Sequence, residues 1–153
     1  MVEKKFLHEE PLLQSMRCPG AGGLTIHVLK NNIEKACAQY GLNVVVDVDT
    51  INSGRLFDKS TTECVTVKNA EHMTDYYTEV VAMKTQGTYA FIDFYFTGNS
   101  KNCNRVAEGE RKHSTMAGSI IGAIKKATVS NEAMETETNY YSMLCDAISS
   151  VFH

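Results

Sequence analysis

A chain of 153 residues with 43% hydrophobic and 22% charged residues, ten Gly and only two Pro is long enough to bury roughly 70% of its unfolded surface around one core, a composition unlike that of disordered or membrane-embedded chains. Its formal net charge is −3, and its fifteen Lys and Arg are scattered apart from short clusters at Arg111-Lys112 and Lys125-Lys126, so the basic footprint of a nucleic-acid partner is missing. The opening MVEKKFLHEE carries charges where a secretory signal needs an apolar run, and a cytoplasmic protein with no membrane partner is expected.

Residues 1–16 offer Phe6, Leu7, Leu12, Leu13 and Met16 as the apolar positions of a short helix, interrupted by Pro11. Cys18-Pro19-Gly20-Ala21-Gly22-Gly23 reads as a flexible connector, because three Gly and a Pro in six residues oppose both helix and strand. A glycine-rich loop cradles phosphate when a strand precedes it and a helix opens after it. No strand is expected before this loop. From Leu24 the pattern predicts a strand over 24–29 and a helix over 30–40, where Leu29, Ile33, Ala36, Cys37 and Tyr40 recur at helical spacing and Gly41 supplies the stop. Leu42 to Asp49 is dense in β-branched residues and 62–68 alternates, so both are expected as strands, with turn residues between them.

The β-rich run Met73 to Lys84 reaches the next strand through Thr85-Gln86-Gly87-Thr88, which is a hairpin signal. That next strand, within Tyr89 to Gly98 (YAFIDFYFTG), sets Ala90, Ile92, Phe94 and Phe96 on one face and Tyr89, Phe91, Asp93, Tyr95 and Thr97 on the other. Apolar on both sides, it reads as a central strand carrying a lone charge among aromatics. A long helix is expected over 104–127, where Gly109, Gly118 and Gly122 each cost about 1 kcal/mol relative to Ala and imply close backbone approach. A last helix over 132–152 points Met134, Tyr141, Leu144, Cys145, Ile148 and Val151 inward. The order β-α-β-β-β-β-α-α predicts one α+β domain, a two-layer sandwich whose mostly antiparallel sheet of four or five strands is covered by helices. Within it, 1–23 is an N-terminal arm, 24–127 the sheet and long helix, and 131–153 the C-terminal helix.

The five cysteines, Cys18, Cys37, Cys64, Cys103 and Cys145, lie nineteen or more residues apart. Such spacing argues for reduced thiols, and with no ligand pair two to four residues apart it predicts no metal site. No cofactor is expected either.

The leading site candidate is the junction Gly98, Asn99, Ser100, Lys101 and Arg105, where amides at a helix start beside two cations attract a phosphate or carboxylate. Ordinary helix capping gives the same residues a plain structural role. Cys103 in that first turn is a candidate nucleophile. Asp93 and His72 are candidate acid–base groups, while Tyr89 and Tyr95 are candidates to line a pocket for a planar ligand such as a nucleobase. Asp47-Val48-Asp49-Thr50 is similar to a phosphatase D-x-D-x-T element in its two acids, but its Thr follows the second Asp directly, and a solvated pair or weak divalent-cation site fits a mid-sequence antiparallel strand better.

Tyr89 to Gly98, with the preceding Ala70-Glu71-His72-Met73-Thr74 and the strand–helix order over residues 24–127, resembles the bacterial-type S-adenosylmethionine decarboxylases. These are small α/β sandwiches that cleave themselves to make a pyruvoyl group. The resemblance places His72 at the histidine of the cleavage step, Glu71 where the family has its serine, Tyr76 at a second, assisting histidine and Thr97 at a proton-donating cysteine. It therefore implies a relative without the usual self-processing, its pocket kept for binding or turned to other chemistry. The expectation is a small-molecule binding domain for a nucleotide-like or anionic metabolite, with homo-oligomerisation as a possibility. A lyase or hydrolase related to those decarboxylases, and a protein–protein adaptor using the Gly109/Gly118/Gly122 helix, are the alternatives.

Overall fold

The computed structural model describes residues 1–52, 61–73, 77–98 and 132–153. Four nine-residue strands, β4 (Val44–Asn52), β5 (Thr61–Asn69), β6 (Thr78–Gln86) and β7 (Tyr89–Thr97), form an antiparallel meander. Three short N-terminal strands complete it: β1 (Val2–Glu3) runs parallel to β4, while β2 (His8–Glu9) and β3 (Met16–Pro19) both pair with β7. Helices α1 (Ile26–Gln39) and α2 (Glu132–Ser150) lie together on one face. No described helix is long and apolar enough to cross a membrane.

The class is α+β, but a curled half-barrel replaces the flat two-layer sandwich, and the sheet has six to seven strands instead of four or five. The chain itself dictates the curl. Five residues lead from Glu3 to His8, a stretch that reaches at most about 18 Å. Six strands side by side in a flat sheet set the outermost two about 24 Å apart. The segment joining β1 to β2, which includes a 3-10 turn at Lys4–Phe6, can therefore bridge the two edges only if the sheet bends. Strands of two to four residues carry too little periodicity to be seen in sequence, so the expected N-terminal helix over 1–16 is instead this strap and edge.

Two faces follow from the strand alternation. On the helix face, Val46, Val65, Val67, Val81, Ile92, Phe94 and Phe96 meet Ile26, Leu29, Ile33 and Cys37 of α1 and Tyr141, Leu144, Cys145 and Ile148 of α2. On the other, the strap face, Ile51, Cys64, Val80 and Ala82 are covered by Val2 and Leu7 of the strap, with Tyr95 beside them. β7 is interior, flanked by β6 and by β2 and β3. Its helix-facing residues are buried and its strap-facing ones only partly so.

Local chemistry sets the element ends. The Thr25 hydroxyl caps α1 by accepting from the Val28 amide at 3.3 Å, so the helix starts at Ile26 and the strand expected over 24–29 does not form. At the far end Gly41 takes φ +72°. The Leu42 amide reaches Cys37 O and the Gly41 amide Ala38 O, the two bonds of a Schellman stop. Gly87 at φ +59° opens the two-residue turn between Gln86 and Tyr89, matching a type II′ hairpin.

The glycine connector is not slack. Gly22 donates to Thr88 O at 3.0 Å, and a Cβ at Gly22 would lie 2.1 Å from Gly87 O, so backbone packs on backbone at the hairpin. The long helix expected over 104–127, with Gly109, Gly118 and Gly122, lies outside the described residues, as does the side chain of Met134.

Candidate functional site

Strand register assembles a patch on the strap face. Phe91 pairs with Arg17 of β3 on one side and with Lys84 of β6 on the other, and Tyr89 pairs with Pro19 and Gln86 in the next row. Directly paired residues project to the same side, so an aromatic ring stands between two cations. The Tyr89 and Phe91 rings stack with centroids 6.2 Å apart and planes 23° from parallel. Tyr89 keeps 41% of its surface exposed, and Arg17 and Lys84 are exposed as well. A cavity of about 410 Å³ is lined by Arg17, Pro19, Tyr89 and Phe91. Among the described residues, the ion pairs join Met1 to Asp49, Lys5 to Glu3 and Lys30 to Glu34, so neither Arg17 nor Lys84 is neutralised by a described carboxylate.

Further along β7 the same face turns acidic. Asp93 accepts a 2.6 Å hydrogen bond from the Ser15 hydroxyl. Glu9 pairs with Tyr95, and partial burial, then the charges of Asp93 and Glu9, raise the Tyr95 pKa. The patch thus has a positive end over Phe91 and a negative end beyond it.

On the helix face a second polar group is buried. After β2, the Glu10 amide still donates to Phe94 O at 3.0 Å, but Pro11 has no amide to continue the ladder. The chain leaves β7 there, and the Leu12 amide turns back onto Glu10 Oε1 at 3.0 Å. The Tyr141 hydroxyl of α2 donates to the same oxygen. Glu79 of β6, fully buried, and Cys145, one helical turn beyond Tyr141, complete the group. Burial pushes the Glu10 pKa up, outweighing the hydrogen bonds from the Tyr141 hydroxyl and the Leu12 amide. It also lifts the Cys145 thiol well above its usual range, the charges of Glu10 and Glu79 adding to the effect.

Of the residues singled out in sequence, Tyr89 lines the cavity, and Tyr95 and Asp93 lie on the same face of β7. His72 sits in the turn after β5, half-buried, its amide on Asn69 O at 3.2 Å. Gly98 follows β7. Asn99, Ser100, Lys101, Cys103 and Arg105, and Tyr76 of the decarboxylase-like pattern, lie outside the described residues. Asp49 of the D-x-D element is engaged. Although partial burial opposes it, the Thr50 amide at 2.8 Å and the chain's terminal ammonium at 3.0 Å hold its carboxyl below the usual range.

The glycine loop does have a strand before it, β3, and a helix after it, contrary to the sequence expectation. Its Gly22 amide is nonetheless spent on Thr88 O. Beside the start of α1 lies a cavity of about 500 Å³ whose lining includes Thr25, His27, Glu63 and Lys84, a carboxylate as well as a cation. Burial lifts the Cys37 thiol to about 11, and burial together with the Asp49 charge lifts Cys64 to about 12, so both stay protonated near neutral pH.

Sequence reasoning missed Arg17, Lys84, Glu10 and Glu79, while Phe91 belongs to the aromatic cluster it offered as the lining of a planar-ligand pocket. The signal for Glu79 was present: one acid followed by Val80-Val81-Ala82-Met83. Comparison with family models, curated proteins and solved structures found no match to the chain.

Proposed function

We propose that this chain is a small-molecule binding domain, without self-processing chemistry, that holds a nucleotide-like anionic metabolite on the strap face. The observation that carries the reading is Phe91 flanked in register by Arg17 and Lys84, beside the stacked Tyr89 ring. An exposed aromatic face gives a planar base something to stack on, typically about 1–3 kcal/mol per base. The two cations supply charge for a phosphate or carboxylate, the Arg17 guanidinium through a two-pronged hydrogen bond. The resemblance to S-adenosylmethionine decarboxylases supports the planar part of the ligand alone, since their substrate carries an adenine ring but a sulfonium cation in place of a phosphate. The cavity's volume suits one small ligand.

The test is calorimetric titration of the full chain with adenosine monophosphate, adenosine and inorganic phosphate. The monophosphate is expected to bind most tightly, with Arg17→Ala and Phe91→Ala each weakening it about tenfold or more. Equal, weak responses to all three compounds, or tight binding unchanged in both variants, would overturn the reading.

A further inference from the structure

We propose that Glu10, Glu79 and Cys145 form a buried site for a zinc-type divalent ion, held by two carboxylates and one thiolate. The proposal is independent of the strap-face ligand, because the three residues lie under α2 on the opposite side of the sheet.

The donor atoms of the three residues all lie within 4.8 Å of one another. A tetrahedral zinc with bonds of 2.0–2.3 Å separates its ligand atoms by roughly 3.3–3.8 Å, so the donors need to close by no more than about 1.5 Å to reach bonding distance. Three stretches of chain supply the ligands: Glu10 from the edge after β2, Glu79 from β6 and Cys145 from α2. Glu10 and Glu79 straddle β7, the first bonded to Phe94 O and the second paired with Phe96.

The hydrogen bonding of Glu10 is divided in a way a ligating carboxylate requires. Oε1 accepts from both Tyr141 and the Leu12 amide, the outer-shell support that orients metal ligands. Oε2, buried in a residue only 4% exposed, has no hydrogen-bond partner. A second, independent group points to the same place: the Tyr77 hydroxyl is also buried and without a partner. Its ring stands edge-on to Tyr141 at 4.7 Å. Burial, followed by the charges of Cys145, Glu79, Tyr141 and Glu10, raises its pKa. Orphaned buried oxygens are destabilising when nothing occupies the space they face.

Ligand chemistry selects the ion. Magnesium and calcium take all-oxygen shells, whereas a thiolate beside carboxylates suits zinc and its neighbours in the first transition row. Binding replaces the Cys145 thiol proton, which leaves to solvent as the metal–sulfur bond forms, and competes with protonation of the two carboxylates as the metal–oxygen bonds form. No electron transfer is involved.

The test uses the full chain after dialysis against a chelator. Added zinc chloride is expected to raise the melting temperature and saturate at one ion per chain, and cobalt(II) is expected to give a thiolate-to-cobalt charge-transfer band. Glu79→Gln and Cys145→Ser should each lose the zinc response and the band, while Cys18→Ser keeps both. Because Cys145→Ser alters a buried position, Glu79→Gln and the cobalt spectrum of the unaltered chain stand as separate readouts. A chain with no zinc-dependent shift and no cobalt band overturns the proposal. So does a Glu79→Gln variant that is more stable than the parent at pH 8 while zinc leaves both unchanged, the pattern of two carboxyls sharing a proton.

Discussion

Asp93 and Glu79 are each a single acid in an otherwise apolar or aromatic stretch of two paired strands, yet they end on opposite faces with opposite fates. Asp93 pairs with Ala82 on the strap face, where Ser15 reaches it. Glu79 pairs with Phe96 on the helix face and is wholly buried beside Glu10. One residue of parity decides the difference, because side chains alternate with a period of two. A charge in a strand is therefore uninformative until its face is known. The half-barrel uses its two faces differently: the helix face buries its polar group within the main core, and the strap face leaves its aromatic and basic residues accessible.

Substitutions can break or sharpen that division. The largest effect is expected on the helix face, where Leu144→Ala, at a side chain with no exposed surface, should cost about 2–5 kcal/mol by chemical denaturation. Gly22→Ala should follow, since a Cβ would lie 2.1 Å from Gly87 O and relieving such a clash typically costs about 1–3 kcal/mol. Its melting temperature should fall, and ligand affinity with it, because the hairpin carries Tyr89.

Phe91→Ala and Arg17→Ala should instead leave the denaturation midpoint within about 0.5–1 kcal/mol of the parent while removing the nucleotide response. A large stability loss in either would show that the strap-face patch is structural. The smallest effect belongs to Asp49→Asn. Its carboxyl is held low by the Thr50 amide and the terminal ammonium, so its contribution is present near neutral pH and fades as pH falls through the depressed pKa. For a pair this exposed, the expected change is under about 1 kcal/mol.

The pH profile sharpens the comparison from the other side. Glu10 has its pKa raised above the ordinary 4.5, burial outweighing its hydrogen bonds from Tyr141 and the Leu12 amide. A carboxyl that binds its proton more tightly when folded stabilises the fold below the unfolded value and loses that contribution as pH rises through the folded one. Without metal, the melting temperature should therefore decline upward from about pH 4.5, and Glu10→Gln should flatten the decline. With zinc present the slope should reverse, since the ion competes with those protons.

The parts of the fold visible in sequence were those with sustained periodicity. Ala90, Ile92, Phe94 and Phe96 alternate over nine residues, and Leu29, Ile33, Ala36 and Cys37 repeat at helical spacing up to Gly41, so β7 and most of α1 could be read directly. The start of α1 was misplaced because Thr25, Ile26 and Val28 are β-branched and look strand-like, while the Thr25 cap that decides the matter is a hydrogen bond. The curl was invisible because it follows from a strap pairing with both sheet edges. Tyr89 was legible as a candidate pocket-lining ring on one face of β7. Arg17 and Lys84 were not, because only the register over β3, β7 and β6 brings them to Phe91. Glu10 and Cys145, far apart in the chain, had no local signature at all.

The most direct measurement is an amide chemical-shift titration of the full chain with adenosine monophosphate, read residue by residue. Saturable shifts confined to Arg17, Lys84, Tyr89, Phe91 and their strand neighbours are the expected result. Shifts centred on α1 and α2, or no saturable shift at millimolar ligand, would contradict the assignment of binding to the strap face.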